Sequence, residues 1–308
     1  LKGADMIISL TGTTTSGIAD AIRRAHAHTG TSAMAFTLVA VTDAEHRDAV
    51  FDACLQAGGE HPSRILVVVR EDGSEPVLDA TVRSGEGVPG DIVTLHLSGA
   101  LAEHAEQVVL PLLLPDSPVV VWWPHDAPTN PAEDPVGALA IRRITDASGE
   151  DDPVSALHAR AEHTQPGDTD LSWTRLTPWR ALLAAGVDQH PARITHATIE
   201  AAADNAPAEL MDGWLRARLG VEVERIANDG PGSTAVRLST TSGDIALQRP
   251  GSGVACYEVP GQPTREVALK RRDINELITE ELRRMDADEI FEEATRTLPG
   301  RRALKEKP

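Results

Sequence analysis

The run Arg64-Ile65-Leu66-Val67-Val68-Val69-Arg70 constrains this chain more than any other stretch. Its uninterrupted, largely β-branched apolar interior reads as a strand. A strand without polar alternation must be covered on both faces. Phe36-Thr37-Leu38-Val39-Ala40-Val41 and Pro118-Val119-Val120-Val121-Trp122-Trp123-Pro124 have the same character. Asp91-Ile92-Val93-Thr94-Leu95-His96-Leu97 alternates more and is expected at an edge or half-exposed. Helical patterns fall between these runs. Thr13 to Ser16 offer N-caps to a helix with Ile18, Ala21, Ile22 and Ala25 on one face. A helix from Asp43 would turn Ala49, Val50, Ala53 and Cys54 inward and stop at Gly58-Gly59. A third helix is expected from Gly99 to Leu114. Strands alternating with helices predict an α/β fold for residues 1–147, a mostly parallel sheet flanked by helices.

A chain of 308 residues has room for about two domains. The acidic Ser148-Gly149-Glu150-Asp151-Asp152-Pro153 marks the expected boundary. In residues 148–308 a helix is predicted over Val154 to His163, a strand over Arg193 to Ile199, and a helix opened by Pro207 carrying Leu210, Met211, Trp214 and Leu215. Periodicity then drops to two. Val221–Ile226, Ala235–Leu238, Ile245–Gln248, Val254–Tyr257 and Glu266–Leu269 are separated by turn signals such as Asp229-Gly230 and Ser242-Gly243. This predicts an antiparallel meander. Asp273 and Glu276 form a capping pair before a helix with Ile274, Leu277, Ile278, Leu282 and Met285 inward. A last helix is expected over Asp286 to Thr295, followed by a frayed polar tail from Arg301 to Lys307. The second half is therefore an α+β domain, a meander with terminal helices.

The charge balance, 47 Asp plus Glu against 29 Lys plus Arg, repels phosphate backbones and anionic lipid, so neither nucleic acid nor a membrane surface is expected as a partner. The longest apolar candidate, Val108 to Trp123, is broken by Pro111, Pro115 and Pro118, and no basic-then-apolar leader opens the sequence. Cys54 and Cys256 belong to no CxxC and read as thiols in a reducing compartment. A cytoplasmic protein is expected.

No GxSxG elbow, no GxGxxG opening a helix and no Walker A sequence is present. Gly12-Thr13-Thr14-Thr15-Ser16-Gly17 superficially suggests a phosphate loop but lacks the following Lys, so capping is the better reading. His158 and His163 flank Glu162 at a spacing that matches no zinc signature. The carboxyl ends of parallel strands are the usual binding rim, and here they carry Thr42, Asp43, Trp122, Trp123, His125 and Asp126. A sugar would suit Trp beside Asp and His. Adjacent Trp on a strand also point to opposite faces, one into a core and one toward an interface.

Two readings compete for Gly167-Asp168-Thr169-Asp170-Leu171-Ser172-Trp173-Thr174-Arg175-Leu176-Thr177-Pro178-Trp179-Arg180. Asp168 and Asp170 as a DxD pair would hold a divalent cation through hard oxygens. Alternatively the acids cap a helix while the Trp and Arg side chains stack across a domain junction. Two carboxylates are few for a metal, which favours capping.

Taken together, these segments resemble the glucose-6-phosphate dehydrogenase assembly protein family (OpcA) in its actinobacterial form. The resemblance is carried by Thr37–Asp43, His61–Ile65, Val109–Pro124, Arg142–Asp146, Asp168–Arg180 and Ser242-Gly243-Asp244. It implies a non-catalytic protein that binds glucose-6-phosphate dehydrogenase and raises its activity in the oxidative pentose phosphate pathway, with no cofactor or metal and no catalytic residues. Trp173, Arg175, Trp179 and Arg180, then Trp122 and Trp123, are the expected partner-binding residues, because Trp and Arg dominate interface hot spots. The alternatives are a metal-dependent nucleotide-sugar transferase using Asp168 and Asp170, and a sugar-phosphate sensor with its ligand near Thr42 and Trp122.

Overall fold

The computed structural model describes residues 6–29, 34–85, 88–251 and 253–299. The expected frayed tail, Arg301 to Lys307, lies outside them. By its internal contacts the chain divides into two compact units, one of 1–146, 167–169 and 274–287, the other of 147–166, 170–273 and 288–308.

The first unit opens with β1 (Met6–Leu10), α1 (Thr15–Thr29), β2 (Thr37–Asp43), α2 (Arg47–Glu60), β3 (Ser63–Arg70), β4 (Leu78–Gly85) and β5 (Val88–Leu97). Then come α3 (Ala100–Glu103), α4 (Ala105–Val109), β6 (Val119–Trp122) and β7 (Arg142–Thr145). Farther along the chain run α5 (Pro153–Ala161), β8 (Asp168–Asp170), α6 (Leu171–Thr174), α7 (Thr177–Gln189), β9 (Ile194–Ala201), α8 (Ala206–Leu219), β10 (Glu222–Ala227) and β11 (Ser233–Thr240). β12 (Gly243–Gln248), β13 (Val254–Glu258), β14 (Arg265–Ala268), α9 (Ile274–Glu281) and α10 (Glu289–Arg296) complete the order.

The eight strands of the first sheet are ordered β1-β4-β5-β3-β2-β6-β7-β8. From β5 to β7 the neighbours are parallel, while β4 and β1 add an antiparallel edge. The α/β expectation is met, and the run at Arg64 lies between two parallel partners. On one face Val39, Val41, Leu66, Val68, Val121 and Trp123 pack with Ile18, Ala21, Ile22 and Ala25 of α1. Leu38, Ala40, Ile65, Val67, Val120 and Trp122 alternate to the other face and are equally buried. There α2 covers β2, β3 and β5, and α9 packs on α2.

Several local expectations change. β5 is not an edge: it runs between β3 and β4, and its Asp91 is buried with Arg64 Nη2 at 3.1 Å and His26 Nε2 at 2.7 Å. Polar residues with partners gave a buried strand an exposed pattern. β1 and β4 were not expected at all. α2 continues through Gly58-Gly59 to Glu60, stopping just short of Pro62, and Ala49 is exposed. The helix expected from Gly99 to Leu114 is two short helices and a 3₁₀ turn at Leu110–Leu112, broken where His104 leaves helical geometry and where Pro111 removes a donor.

Gly167 has φ 92°, and a Cβ there would run into the carbonyl of Ile141, so glycine lets β8 close against β7. Arg142 of β7 is also fully buried, bonding the Asp286 carbonyl at 3.0 Å and the Glu281 carboxylate of α9.

The second unit is built on a sheet ordered β10-β9-β11-β12-β13-β14. From β9 to β14 through β11 the pairing is antiparallel, as the meander predicts. Val221–Ile226 does not belong to that meander, because α8 carries the chain over and β10 pairs parallel to β9. Trp173, Trp179 and Leu183 join Leu210, Leu215, Ile199, Leu238, Leu247, Tyr257 and Phe291 in its core. Gly213 lets α8 approach α10, since a Cβ there would strike the Ala294 carbonyl. Cys54 and Cys256 are free thiols, and burial pushes the Cys54 thiol up, out of reach of thiolate chemistry. No helix among the described residues is long and apolar enough to cross a membrane.

Candidate functional site

Parallel pairing of β2 with β6 sets Ala40 opposite Trp122; three residues farther on lie Asp43, the last residue of β2, and His125, in the segment after β6. The turn from β2 into α2 then brings His46 back over Asp43. The His46 backbone N–H donates to Asp43 Oδ1 at 2.8 Å, and its ring Nδ1 lies 3.0 Å from both carboxylate oxygens. A carboxylate only accepts, so His46 Nδ1 carries the proton. His125 Nε2 sits 3.4 Å from Asp43 Oδ2 and 3.2 Å from Thr42 Oγ1. The two imidazoles are stacked at a tilt, centroids 4.0 Å apart. Burial is the largest single influence on Asp43 and pushes its carboxyl up. The hydrogen bonds from His46, with the charges of His46 and His125, outweigh it and hold the carboxyl below its ordinary value.

Directly after His125 the chain turns at Asp126, whose φ of 49° lies in the left-handed region that aspartate enters more readily than most residues. His125 is largely covered, with 13% of its side chain exposed, whereas Asp43 and His46 reach solvent at 38% and 49%. Of the rim expected from sequence, Thr42, Asp43 and His125 converge. Trp122 and Trp123 do not: both are core residues, so no ring is presented for a sugar to stack on. His46 was not anticipated, although its position three residues after Asp43 at a strand-to-helix turn was a visible signal.

Elsewhere in this unit a depression of about 380 Å³ is lined by Arg70, Glu71, Glu103, Glu106 and Asp134, a mainly acidic wall that suits no sugar phosphate. The Gly12–Gly17 segment is spent on structure. The Gly12 N–H donates to Asp79 Oδ1 at 2.7 Å, Thr13 N to the Leu78 carbonyl at 2.8 Å, and Gly17 N to Thr14 Oγ1 at 3.2 Å.

The Asp168–Arg180 stretch is also resolved in favour of structure. Asp168 accepts from Arg143 Nε, within the first unit. Asp170, in the second, caps α6 by accepting from Ser172 N at 2.8 Å and takes Ala147 N at 2.9 Å. Neither carboxylate is left as a ready metal ligand. Trp173 is 1% exposed; its indole N–H donates to Asp288 Oδ2 at 2.8 Å, and the Arg180 guanidinium lies 3.5 Å above its ring. Trp179 is 2% exposed, with Arg249 5.0 Å from its ring. The four tryptophans expected at a partner surface are thus packed inside, while Arg175 and Arg180 are half-buried. Buried indoles fill cores and leave nothing of themselves for a docking protein to touch.

A family model described as the glucose-6-phosphate dehydrogenase subunit N-terminal domain matches residues 55–162, and one described as its C-terminal domain matches residues 166–295. The chain belongs to the glucose-6-phosphate dehydrogenase assembly protein family. No curated protein matches it in sequence. Among solved structures it is similar to a 3-ketoreductase from Actinomadura kijaniata in complex with TDP-benzene and NADP, at 10% identity over 85% of this chain and 94% of that one, TM-score 0.44. An oxidoreductase from Sinorhizobium meliloti is similar at 11% identity over 90% of this chain and 91% of that one, TM-score 0.38. At such values neither likeness carries an inference. Within this assembly-family member, His125 lies inside the matched N-terminal domain, whereas Asp43 and His46 precede it.

Proposed function

We propose that this chain is a non-catalytic partner of glucose-6-phosphate dehydrogenase that assists its assembly and favours its substrate-competent conformation, in the cytoplasm and in service of the oxidative pentose phosphate pathway. One observation carries the reading: N- and C-terminal domain models of a dehydrogenase subunit match residues 55–162 and 166–295 in succession. Activation asks little energy. A difference in affinity of about 1–3 kcal/mol between two conformations of the enzyme shifts its apparent substrate affinity roughly 5- to 150-fold. A formal charge of −18 favours a neutral or basic face on that enzyme. The polar contact is assigned to Arg175 and Arg180. Trp173 and Trp179 support that segment from within, and Trp122 and Trp123 do the same for the sheet rim.

The test is to mix the purified chain with its cognate dehydrogenase and follow co-elution together with turnover at subsaturating substrate. Co-elution with raised turnover is expected, and Arg175→Ala, in a protein shown still to be folded, should weaken both. Separate elution with unchanged turnover would end the partnership reading. Activation undiminished by Arg175→Ala would move the contact elsewhere.

A further inference from the structure

We infer that Asp43, His46 and His125 form a binding site for a divalent transition-metal ion of the zinc class. Two imidazole nitrogens and one carboxylate oxygen are the borderline donors that Zn²⁺ selects, and catalytic-type zinc sites keep three protein ligands and one open position. The donors already have the required spacing. Bonds of about 2.0–2.1 Å to a tetrahedral ion put neighbouring ligand atoms about 3.3 Å apart. Asp43 Oδ2 lies 3.0 Å from His46 Nδ1 and 3.4 Å from His125 Nε2, and one ligand atom from each residue falls within 4.8 Å of the others. An ion could enter with little movement of the backbone.

One further feature favours a built site over a chance cluster. Its members come from separate elements, the end of β2, the entry to α2 and the segment after β6, at the carboxyl rim where parallel sheets bind ligands. Thr42 Oγ1 lies 3.2 Å from the same His125 Nε2 and gives up that contact when an ion binds. The net charge of −18 also raises the cation concentration at the surface. The proposal does not rest on the partnership with the dehydrogenase, and either can fail without the other.

Calorimetric titration of the full chain with Zn²⁺, repeated with Co²⁺ while recording the visible spectrum, tests it. One equivalent should bind, and Co²⁺ should give the intense bands of a tetrahedral N,O site. His125→Gln, His46→Gln and Asp43→Asn should each weaken binding by at least about tenfold, given that even outer partners of metal ligands cost 10–100-fold. These side chains sit at a rim, and cooperative melting close to that of the native chain would show that the variants remain folded. Absence of stoichiometric binding would overturn the proposal, as would the weak spectrum of aquated cobalt or equal affinity in the three variants.

Discussion

Asp43 and the pair Asp168/Asp170 pose the same question with opposite outcomes. All are carboxylates at strand ends with nitrogen donors nearby. Asp168 and Asp170 are buried, and their oxygens are held by Arg143 and by backbone N–H groups, which have no second use. Asp43 is half-open and faces two imidazoles, whose nitrogens can exchange a proton for a metal. The DxD spacing looked more like a metal motif, yet the donors around each acid decide. Permanent cations and amides close a site; imidazoles leave it open to change.

If that contrast is right, damage to the buried tryptophans of the Trp/Arg segment should appear as lost stability. Trp173→Ala is expected to cost about 3–5 kcal/mol, the range for removing a large buried aromatic ring, and denaturant unfolding of the second unit reads it directly. Trp173 also leaves Arg180 without its ring and Asp288 without the indole donor. A cost near zero, with the dehydrogenase partnership lost instead, would make Trp173 itself a docking residue and break the comparison.

A smaller effect of the same kind is expected at Asp288. One carboxylate oxygen caps α10 through Ile290 N and Phe291 N, both at 3.0 Å, while the other accepts the Trp173 indole at 2.8 Å. Asp288→Ala removes a cap worth about 0.5–2 kcal/mol and strands a buried donor worth about 1–3 kcal/mol. Overlap between the two terms puts the expected total near 2 kcal/mol, again by denaturant unfolding. Asp288→Asn keeps one acceptor, enough to cap α10, but turns an NH2 donor toward the Trp173 indole N–H, so it should retain the cap and still lose the indole bond.

The sheet of the first unit was legible because β2, β3 and β6 are unbroken apolar runs, a pattern that only a doubly covered strand explains. β4 was missed although Leu78, Ala80 and Val82 alternate inward, and β5 was misplaced because Asp91 pairs with residues distant in sequence. Long-range partners also decided the sites. That Asp288 would meet Trp173, or His46 turn toward His125, depends on chain folding that no local spacing encodes. Asp43 and His125 could be placed on the rim, since strand ends are readable. The fate of Asp168 required seeing Arg143 beside it.

The mildest prediction concerns the open site and its pH response. Asp43 has its carboxyl below the ordinary value, so it adds stability wherever it is ionised in the folded chain and would be ionised in the unfolded one. That contribution is complete above the ordinary carboxylate value of about 3.9. It is lost as pH falls through the lower folded value, because protonation there removes the acceptor for His46. With 38% of the side chain exposed, water screens the interaction and the contribution is small. Melting curves of the native chain and Asp43→Asn should therefore run slightly apart at neutral pH and converge on acidification below the ordinary carboxylate range. A gap that widened on acidification would mean that Asp43 is held protonated, as a buried acid without partners would be. The distinction drawn between the half-open rim and the closed carboxylates of the Trp/Arg segment would then fail at its open end.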